Sequence, residues 1–106
     1  MQAEFENKDF EMVAKLNGEI DHHTAKQMRE RIDAAVEGKR VTLLKLDFSG
    51  VTFMDSSGIG LIMGRYKLMQ SMGGRLELIN VPAHLKKLMV LAGISKLNVF
   101  QNQEDA

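Results

Sequence analysis

The sequence predicts an α/β fold in which helices pack on a mixed β-sheet, with the elements in the order β-β-α-β-α-β-α-β. Short apolar segments typical of strands are separated by segments whose apolar residues recur every three or four positions, as in helices. A glycine follows each helical segment, at positions 38, 73 and 93. Strands that alternate with helices favour right-handed β-α-β units with parallel strands. A length of 106 residues corresponds to a single domain, over residues 1–106.

Two paired strands are predicted at the N-terminus. In the second of them, apolar residues alternate with Glu11, Val13 and Lys15, which predicts one buried face. The alternating apolar residues are Phe10, Met12, Ala14 and Leu16. We expect residues 2–6 to form the partner strand, joined through a polar turn at residues 7–9.

The first helix is expected at residues 25–36, after a loop at residues 17–23 and with Thr24 as its N-cap. Gly38 is the predicted C′ residue of that helix, because glycine adopts the left-handed conformation freely. The next segment, residues 41–48, is almost continuously apolar, which is typical of a central strand covered on both faces.

A loop at residues 49–55 is expected to lead into a second helix at residues 57–71. Gly73 and Gly74 end that helix. The predicted elements after it are, in order, a strand at residues 75–79, a third helix opened by Pro82 and ended by Gly93, and a last strand at residues 97–100.

Composition and charge exclude several classes of function. The 14 basic and 14 acidic residues give a formal net charge of zero, whereas proteins that bind nucleic acid usually carry a basic excess. The chain has no cysteine, which excludes disulfides and thiolate metal sites. Its longest apolar run is far below the roughly 18 residues of a membrane span, and its N-terminus has no signal-peptide core. We therefore expect a soluble cytoplasmic protein that binds no nucleic acid, membrane, metal or cofactor.

Asp55, Ser56 and Ser57 lie where a buried strand ends and a helix begins, which is where α/β sheets usually meet ligands and partners. One interpretation is a simple helix cap, because Asp and Ser are preferred N-cap residues. A cap does not explain the three glycines of the same helix, each of which costs up to about 1 kcal/mol relative to alanine. Gly60 and Gly64 share one helical face, and we interpret them as a flat surface that another chain approaches closely. Internal packing against a strand is the alternative, and we expect it not to explain all three.

A phosphate on Ser57 is compatible with this position. It would add about −1.5 to −2 charges beside Asp55 and near Glu19 and Asp21. The N-terminus of a helix tolerates an anion, because it has free N–H groups and a positive dipole end. Phosphorylation is therefore expected to leave the fold intact and to expel a partner packed over this surface.

Two other interpretations, nucleotide binding and hydrolysis, use the same residues. Residues 58–60 begin like a dinucleotide fingerprint, but Gly64 follows one position too late. The residue types of a hydrolytic triad also occur, without a G-x-S-x-G elbow. They are Ser57, His22 or His23, and Asp21 or Asp55. No enzyme is predicted, and nucleotide binding stays open as an alternative.

Two blocks of the sequence resemble a known family. Residues 54–60 (Met-Asp-Ser-Ser-Gly-Ile-Gly), with residues 64–67 (Gly-Arg-Tyr-Lys), resemble the signature of the STAS domain. Residues 18–25 (Gly-Glu-Ile-Asp-His-His-Thr-Ala) resemble a second block of one subgroup, the anti-sigma F factor antagonists (stage II sporulation protein AA). The resemblance covers residues 5–100 and implies the STAS fold in the predicted element order.

The resemblance implies a regulatory function. Unphosphorylated members bind an anti-sigma factor that is also a serine kinase, and this binding releases the sigma factor for transcription. The kinase then phosphorylates the second serine of the pair, Ser57 here, and a serine phosphatase restores the protein. The implied partner-binding residues are Asp21, Asp55, Ser56, Ser57, Gly58, Ile59, Gly60, Gly64 and Arg65. As an alternative, Arg65 is a solvated helix charge.

Relatives usually continue into a further C-terminal helix after the last strand. Only residues 101–106 follow that strand here, so we expect this helix to be short or missing. Two alternatives to the anti-anti-sigma function stay open. They are a STAS protein that binds or weakly hydrolyses GTP or ATP, and a scaffold subunit of a stress-signalling complex.

Overall fold

A mixed β-sheet of four strands forms the centre of residues 3–101, the part of the chain that the computed structural model describes. In sheet order the strands are β1 (Ala3–Lys8), β2 (Glu11–Ile20), β3 (Leu43–Met54) and β4 (Arg75–Ile79). β1 pairs antiparallel with β2, and the two later pairs are parallel. Gln2, the predicted start of the first strand, lies outside the described residues. So do residues 102–106, where a short or missing C-terminal helix is predicted.

Three α-helices connect or follow the strands. They are α1 (His22–Val36), α2 (Ser56–Ser71) and α3 (Ala83–Leu91). α1 links β2 to β3 and α2 links β3 to β4, and two crossovers of the same direction and hand put both helices on one face of the sheet. The two helices pack against each other there. None of the helices within residues 3–101 has the length and the apolar character of a membrane span.

The predicted glycine stops of the helices are confirmed. Gly38, Gly73 and Gly93 all have positive φ, at 79°, 73° and 88°. Pro82, which was predicted to open the third helix, is the N-cap of α3 and precedes its first helical residue. Glycine adopts these angles without the steric cost that a Cβ would impose, so each helix ends where the sequence pattern predicts.

The predicted loops after the second strand and after the central strand are wrong, because β2 and β3 both run further than expected. β2 continues through Asn17 to Ile20, and β3 continues through Ser49 to Met54. The pair accommodates these polar stretches because its register shifts twice between residues 15 and 19 of β2, as in a bulge. The longer strands carry the chain to the same edge of the sheet, where α1 and α2 begin.

The predicted last strand is reduced to a single bridge. Ile94–Leu97 form a 3₁₀ helix instead, and Asn98 then turns the chain at φ 57°. After this turn, the N–H of Leu78 donates to the carbonyl of Val99 at 2.7 Å, and Phe100 forms one parallel bridge with Leu78. This left-handed turn interrupts the extended backbone between Leu97 and Val99, so only the end of the predicted strand reaches β4. The fold class and the order β-β-α-β-α-β-α agree with the prediction.

The core lies between the sheet and the helices, and every strand and helix contributes to it. Its largest fully buried side chains are Phe48, Met12, Leu16, Ile20, Met28, Ile32, Leu44, Leu46, Ile62, Met69, Leu78 and Leu85. Phe10 is the exception to the predicted alternation, since it is 51% exposed and lies 5.1 Å from the Arg40 guanidinium. It belongs to the turn before β2, after the left-handed Asp9, and therefore does not follow the side-chain alternation of the strand.

Candidate partner-binding site

The predicted site residues gather where β2 and β3 end side by side and α1 and α2 begin. The backbone N–H of Asp55 donates to the carbonyl of Ile20 at 3.1 Å, which joins the two strand ends. Asp21 follows β2 as the N-cap of α1, and Asp55 follows β3 as the N-cap of α2. Because neighbouring parallel strands end at the same sheet edge, the positive ends of both helix dipoles meet here.

α1 begins with a complete capping box. Oδ1 of Asp21 accepts the N–H groups of His23 at 3.0 Å and Thr24 at 2.9 Å, and the Thr24 hydroxyl accepts the N–H of Asp21 at 2.9 Å. The backbone bond from Thr24, followed by its hydroxyl, lowers the pKa of Asp21 by favouring the carboxylate. The prediction of Thr24 as the N-cap is wrong, because Thr24 is the third residue of the helix. Asp21 is partly exposed, so its carboxylate is held in one orientation at the surface.

α2 begins with a single side-chain cap. Oδ1 of Asp55 accepts the N–H of Ser57 at 2.8 Å, so the helix-cap interpretation is correct for Asp55. Neither Ser56 nor Ser57 is used in this way. Ser56 is exposed and Ser57 is half-buried, and neither hydroxyl has a hydrogen-bond partner within residues 3–101. The start of α2 therefore presents two hydroxyl groups that are free of hydrogen bonds to the described part of the chain.

The three glycines of α2 have different surroundings. A Cβ at Gly58 would collide with Cγ and Sδ of the buried Met54, so this glycine lets α2 pack on the end of β3. Nothing within residues 3–101 lies within 4 Å of a Cβ placed at Gly60 or Gly64. Internal packing thus accounts for Gly58 alone. Gly60 and Gly64 leave an open surface on α2, which we call the glycine strip. The neighbouring Ile59 is partly buried against the core.

Arg65 does not lie on the surface. The residue is 6% exposed, and its Nε lies 2.9 Å from Oδ1 of Asp33 on α1. Burial lowers the pKa of the Arg65 guanidinium, Asp33 opposes this effect, and the positive charge of Arg29 adds to it. The solvated-charge interpretation is therefore wrong. Burial also leaves little of Arg65 for a partner to contact, so we exclude it from the surface and assign it to the packing of α2 on α1.

An open groove of about 320 Å³ lies between α1 and α2, beside the glycine strip. We call it the α1–α2 groove. It is lined by His22, Ala25, Lys26 and Arg29 of α1 and by Ser57, Gly60 and Leu61 of α2. Lys26 and Arg29 were not predicted as site residues. Their spacing from His22 places three basic side chains on one helical face, and this signal was present in the sequence.

The geometry argues against nucleotide binding and against hydrolysis. Gly58 lies in the first turn of α2 and its N–H donates to the carbonyl of Asp55 at 3.0 Å, so these glycines form no loop of free N–H groups for a nucleotide phosphate. Ser57 and His22 line the same groove, but no hydrogen bond joins Ser57 to a histidine within residues 3–101. Asp21 is bound by its own helix rather than by an imidazole. The same residues contain no group of three or more His, Asp or Glu that could hold a metal.

Comparison with known proteins identifies similar sequences and structures. The model of the STAS domain family matches residues 2–106. The anti-sigma F factor antagonist of Paenibacillus polymyxa is 33% identical over 107 residues, which cover 100% of this chain and 92% of that protein. A solved structure of the anti-sigma factor antagonist SpoIIAA in its unphosphorylated form has a TM-score of 0.81 and 31% identity, covering 93% of this chain and 85% of that one. The phosphorylated form of SpoIIAA, a Bacillus cell fate determinant, has a TM-score of 0.74 and 31% identity, covering 93% and 88%.

The family match spans nearly the whole chain, and the similarity to named antagonists includes both sequence and fold. It agrees with the sequence blocks at residues 18–25 and 54–60, which form the adjacent starts of α1 and α2, and with residues 64–67 further along α2. The chain therefore belongs to the STAS-domain family, within its group of anti-sigma factor antagonists.

Proposed function

We propose that the unphosphorylated chain binds an anti-sigma factor through the starts of α1 and α2 and so releases a sigma factor to direct transcription. The proposed docking surface consists of Asp21, Asp55, Ser56, Ser57, Gly60 and Gly64. Gly58 and Ile59 support this surface from beneath, because both pack towards the core. The aspartate N-caps hold the two helix starts at the sheet edge, so the surface is preformed.

The glycine strip is the observation that carries this proposal. Gly60 and Gly64 each weaken a helix by up to about 1 kcal/mol relative to alanine. Nothing within residues 3–101 requires the absence of their side chains. A partner that approaches the backbone of α2 closely does require it, because even a Cβ would hold that partner away. The strip also lies beside a free serine hydroxyl, which gives the surface a place for regulation.

Phosphorylation of Ser57 is the proposed off-switch. Oγ of Ser57 attacks the γ-phosphorus of ATP, the hydroxyl proton is released and ADP leaves. The resulting dianion is tolerated by the N-terminus of α2, which favours negative charge. A partner seated on the glycine strip would have to bury that dianion, which is strongly unfavourable. Ser57 is half-buried beside an open groove, so its hydroxyl is accessible to a kinase.

The proposed anti-sigma factor is itself the serine kinase, and a separate serine phosphatase restores the binding form. The chain is on this proposal a single-domain binding module with no catalytic activity of its own. We infer a cytoplasmic location, because the proposed partners act on the transcription machinery. The absence of a hydrogen-bonded Ser–His pair within residues 3–101 supports a binding role for Ser57 rather than a nucleophilic one.

The test uses the anti-sigma factor of the same organism with ATP or with a non-hydrolysable ATP analogue. With the analogue, the chain should bind and should displace sigma factor from the complex on size-exclusion chromatography. With ATP, mass spectrometry should find one phosphate on Ser57, and the chain should dissociate.

Two single variants separate the serines. Ser56→Ala should be phosphorylated and released like the wild type, whereas Ser57→Ala should bind and remain bound in the presence of ATP. Phosphate on another residue, or release of Ser57→Ala by ATP, would contradict the proposed switch. Failure of the unmodified chain to bind would contradict the proposed docking function itself.

A further inference from the structure

Three basic side chains of α1 share the α1–α2 groove with Ser57, and the proposed docking function does not use them. His22, Lys26 and Arg29 follow one another at helical spacing and line the α1 side of the groove. Lys26 and Arg29 are exposed, and neither forms an ion pair within residues 3–101. The groove therefore has a positive wall opposite the residue proposed to be phosphorylated.

Within residues 3–101, Arg29 forms no ion pair with a carboxylate, whereas the nearby Asp33 forms one with the other helix. Asp33 lies four residues after Arg29 on α1, at the spacing where arginine and aspartate normally pair. Asp33 instead pairs with Arg65 of α2 at 2.9 Å. Arg29 is close enough for its positive charge to lower the pKa of Arg65. With Asp33 engaged by Arg65, no carboxylate of the described residues competes with an anion for Arg29.

We propose that Lys26 and Arg29 hold the phosphate of phosphorylated Ser57 within the α1–α2 groove. This inference rests on the proposed function, because it takes Ser57 as the modified residue. A phosphoserine brings up to two negative charges and three acceptor oxygens, which suit the donors of arginine and lysine. The groove of about 320 Å³ has room for the group, because Gly60 contributes no side chain to it.

Other charged groups act on a phosphate at this place. The carboxylate of Asp55 lies at the start of the same helix, Asp21 lies at the start of α1, and Glu19 lies near the end of β2. All three repel the phosphate. His22 also lines the α1 side of the groove.

Lys26 and Arg29 oppose this repulsion and draw the phosphate between the helices. Held there, the phosphate covers Gly60 and closes part of the glycine strip. The phosphorylated chain then excludes its partner by shape as well as by charge. The same contacts stabilise the dianion, so they lower the pKa of the phosphate.

The experiment inserts phosphoserine at position 57 during translation, so that it needs no kinase. Phosphorus NMR follows the second ionisation of the phosphate, which has a pKa of about 6 in a free phosphoserine. The groove variant is Lys26→Gln with Arg29→Gln. The matched control is Arg31→Gln with Lys67→Gln, which removes the same two residue types from exposed positions outside the groove.

The pKa of the phosphate should be higher in the groove variant than in the control by about 0.5 or more, because removal of adjacent cations disfavours the dianion. Phosphorylation should also raise the melting temperature less in the groove variant than in the control. Equal phosphate pKa values in the two proteins would overturn the proposal. All four substituted side chains are exposed, and circular dichroism checks that the folds are intact. Should the groove variant fail to fold, Arg29→Gln against Arg31→Gln makes the same comparison.

The two proposals fail in different ways. If the kinase does not modify Ser57, the proposed switch is wrong. The NMR titration of inserted phosphoserine still tests whether Lys26 and Arg29 hold the phosphate. If the kinase modifies Ser57 and the two phosphate pKa values are equal, only the role of Lys26 and Arg29 is wrong.

Discussion

The starts of α1 and α2 are built in the same way, but fewer side chains cover the surface of α2. Each helix follows a strand of the same parallel pair and begins with an aspartate N-cap. At α1, Asp21 and Thr24 exchange hydrogen bonds in both directions. At α2, Asp55 accepts one N–H, and Gly60 and Gly64 leave the helix surface open.

On the proposed function, this difference separates two tasks of the site, which are to position a partner and to exclude it. The start of α1 is a fixed wall, which carries a firmly oriented carboxylate and a row of basic side chains. The start of α2 is a surface for close approach, which carries the two free hydroxyl groups. The proposed partner would then be positioned by α1 and excluded by a single modification on α2.

Gly60→Leu and Gly64→Leu would each fill part of the open surface of α2. They should have the largest effect on the affinity for the proposed partner. Either side chain would occupy the space that the proposed partner needs, and overpacked contacts are strongly unfavourable. We expect the affinity for the anti-sigma factor to fall at least about 100-fold, or about 2.7 kcal/mol. The free energy of unfolding should stay the same or rise by up to about 1 kcal/mol, since leucine favours helix over glycine. Calorimetric titration and urea unfolding measure the two quantities.

The matched control for these variants is Gln70→Leu, which adds an apolar side chain to an exposed position of α2 beyond the strip. This change should leave the affinity unaltered. Wild-type affinity in both glycine variants would mean that the glycine strip is not part of the interface, and the contrast between the two helix starts would lose its functional meaning.

A side chain at Gly58 should destabilise the fold, in contrast to one at Gly60 or Gly64. The reason is that Gly58 is the glycine of α2 that packs internally. In Gly58→Ala the new Cβ collides with Met54, and overpacking of a core costs about 1 to 3 kcal/mol. The same substitution at Gly60 meets no neighbour within residues 3–101 and should stabilise the protein by up to about 1 kcal/mol. Urea unfolding of the two variants tests the sign of each effect. Two changes of the same sign would show that Gly58 and Gly60 do not differ as described.

The elements with strong local signals were predictable from the sequence. The second helix is an example, since its apolar spacing and its Gly73 stop agree with the structure to within one residue. Strand ends were not predictable, because Asn17 and Ser49 have the composition of a loop and are kept in β2 and β3 by a register shift with the neighbouring strand. Such a shift depends on the partner strand, which local patterns do not contain.

The part of the site that lies in one short segment could be predicted from the sequence. The part that depends on contacts between two helices could not. The aspartate and the serines at residues 55–57 form a local motif, and their place at the start of a helix followed from it. Local chemistry also allowed Thr24 as an N-cap. Asp21 is the N-cap because β2 continues to Ile20, and this length could not be predicted. The burial of Arg65 depends on Asp33, which belongs to another helix. A charged residue on a helix gives no sign of such a distant partner.

Asp21→Asn tests whether charge contributes to the fixed start of α1, and its effect should be the smallest. Asparagine caps helices about as well as aspartate, so the variant keeps the cap and loses the charge. Because hydrogen bonds lower the pKa of folded Asp21, the carboxylate stabilises the fold above its unfolded pKa of about 3.9. This contribution is lost as the pH falls through the lower folded pKa. The melting temperature of the wild type should exceed that of Asp21→Asn near neutral pH, and the gap should close in acid, as the pH falls through the lowered pKa of folded Asp21.

Thr24→Val sharpens this measurement. Valine keeps the backbone N–H of residue 24, which lowers the pKa of Asp21 most, and removes the hydroxyl, which is the second cause. In a Thr24→Val background, Asp21→Asn should therefore lower the melting temperature near neutral pH by less than it does in the wild type, and the difference should again vanish in acid. A gap between wild type and Asp21→Asn that is the same at both pH values would show that charge has no part in holding this helix start. The carboxylate of Asp21 would then be no more firmly held than that of Asp55, and the contrast between the two helices would reduce to the glycines.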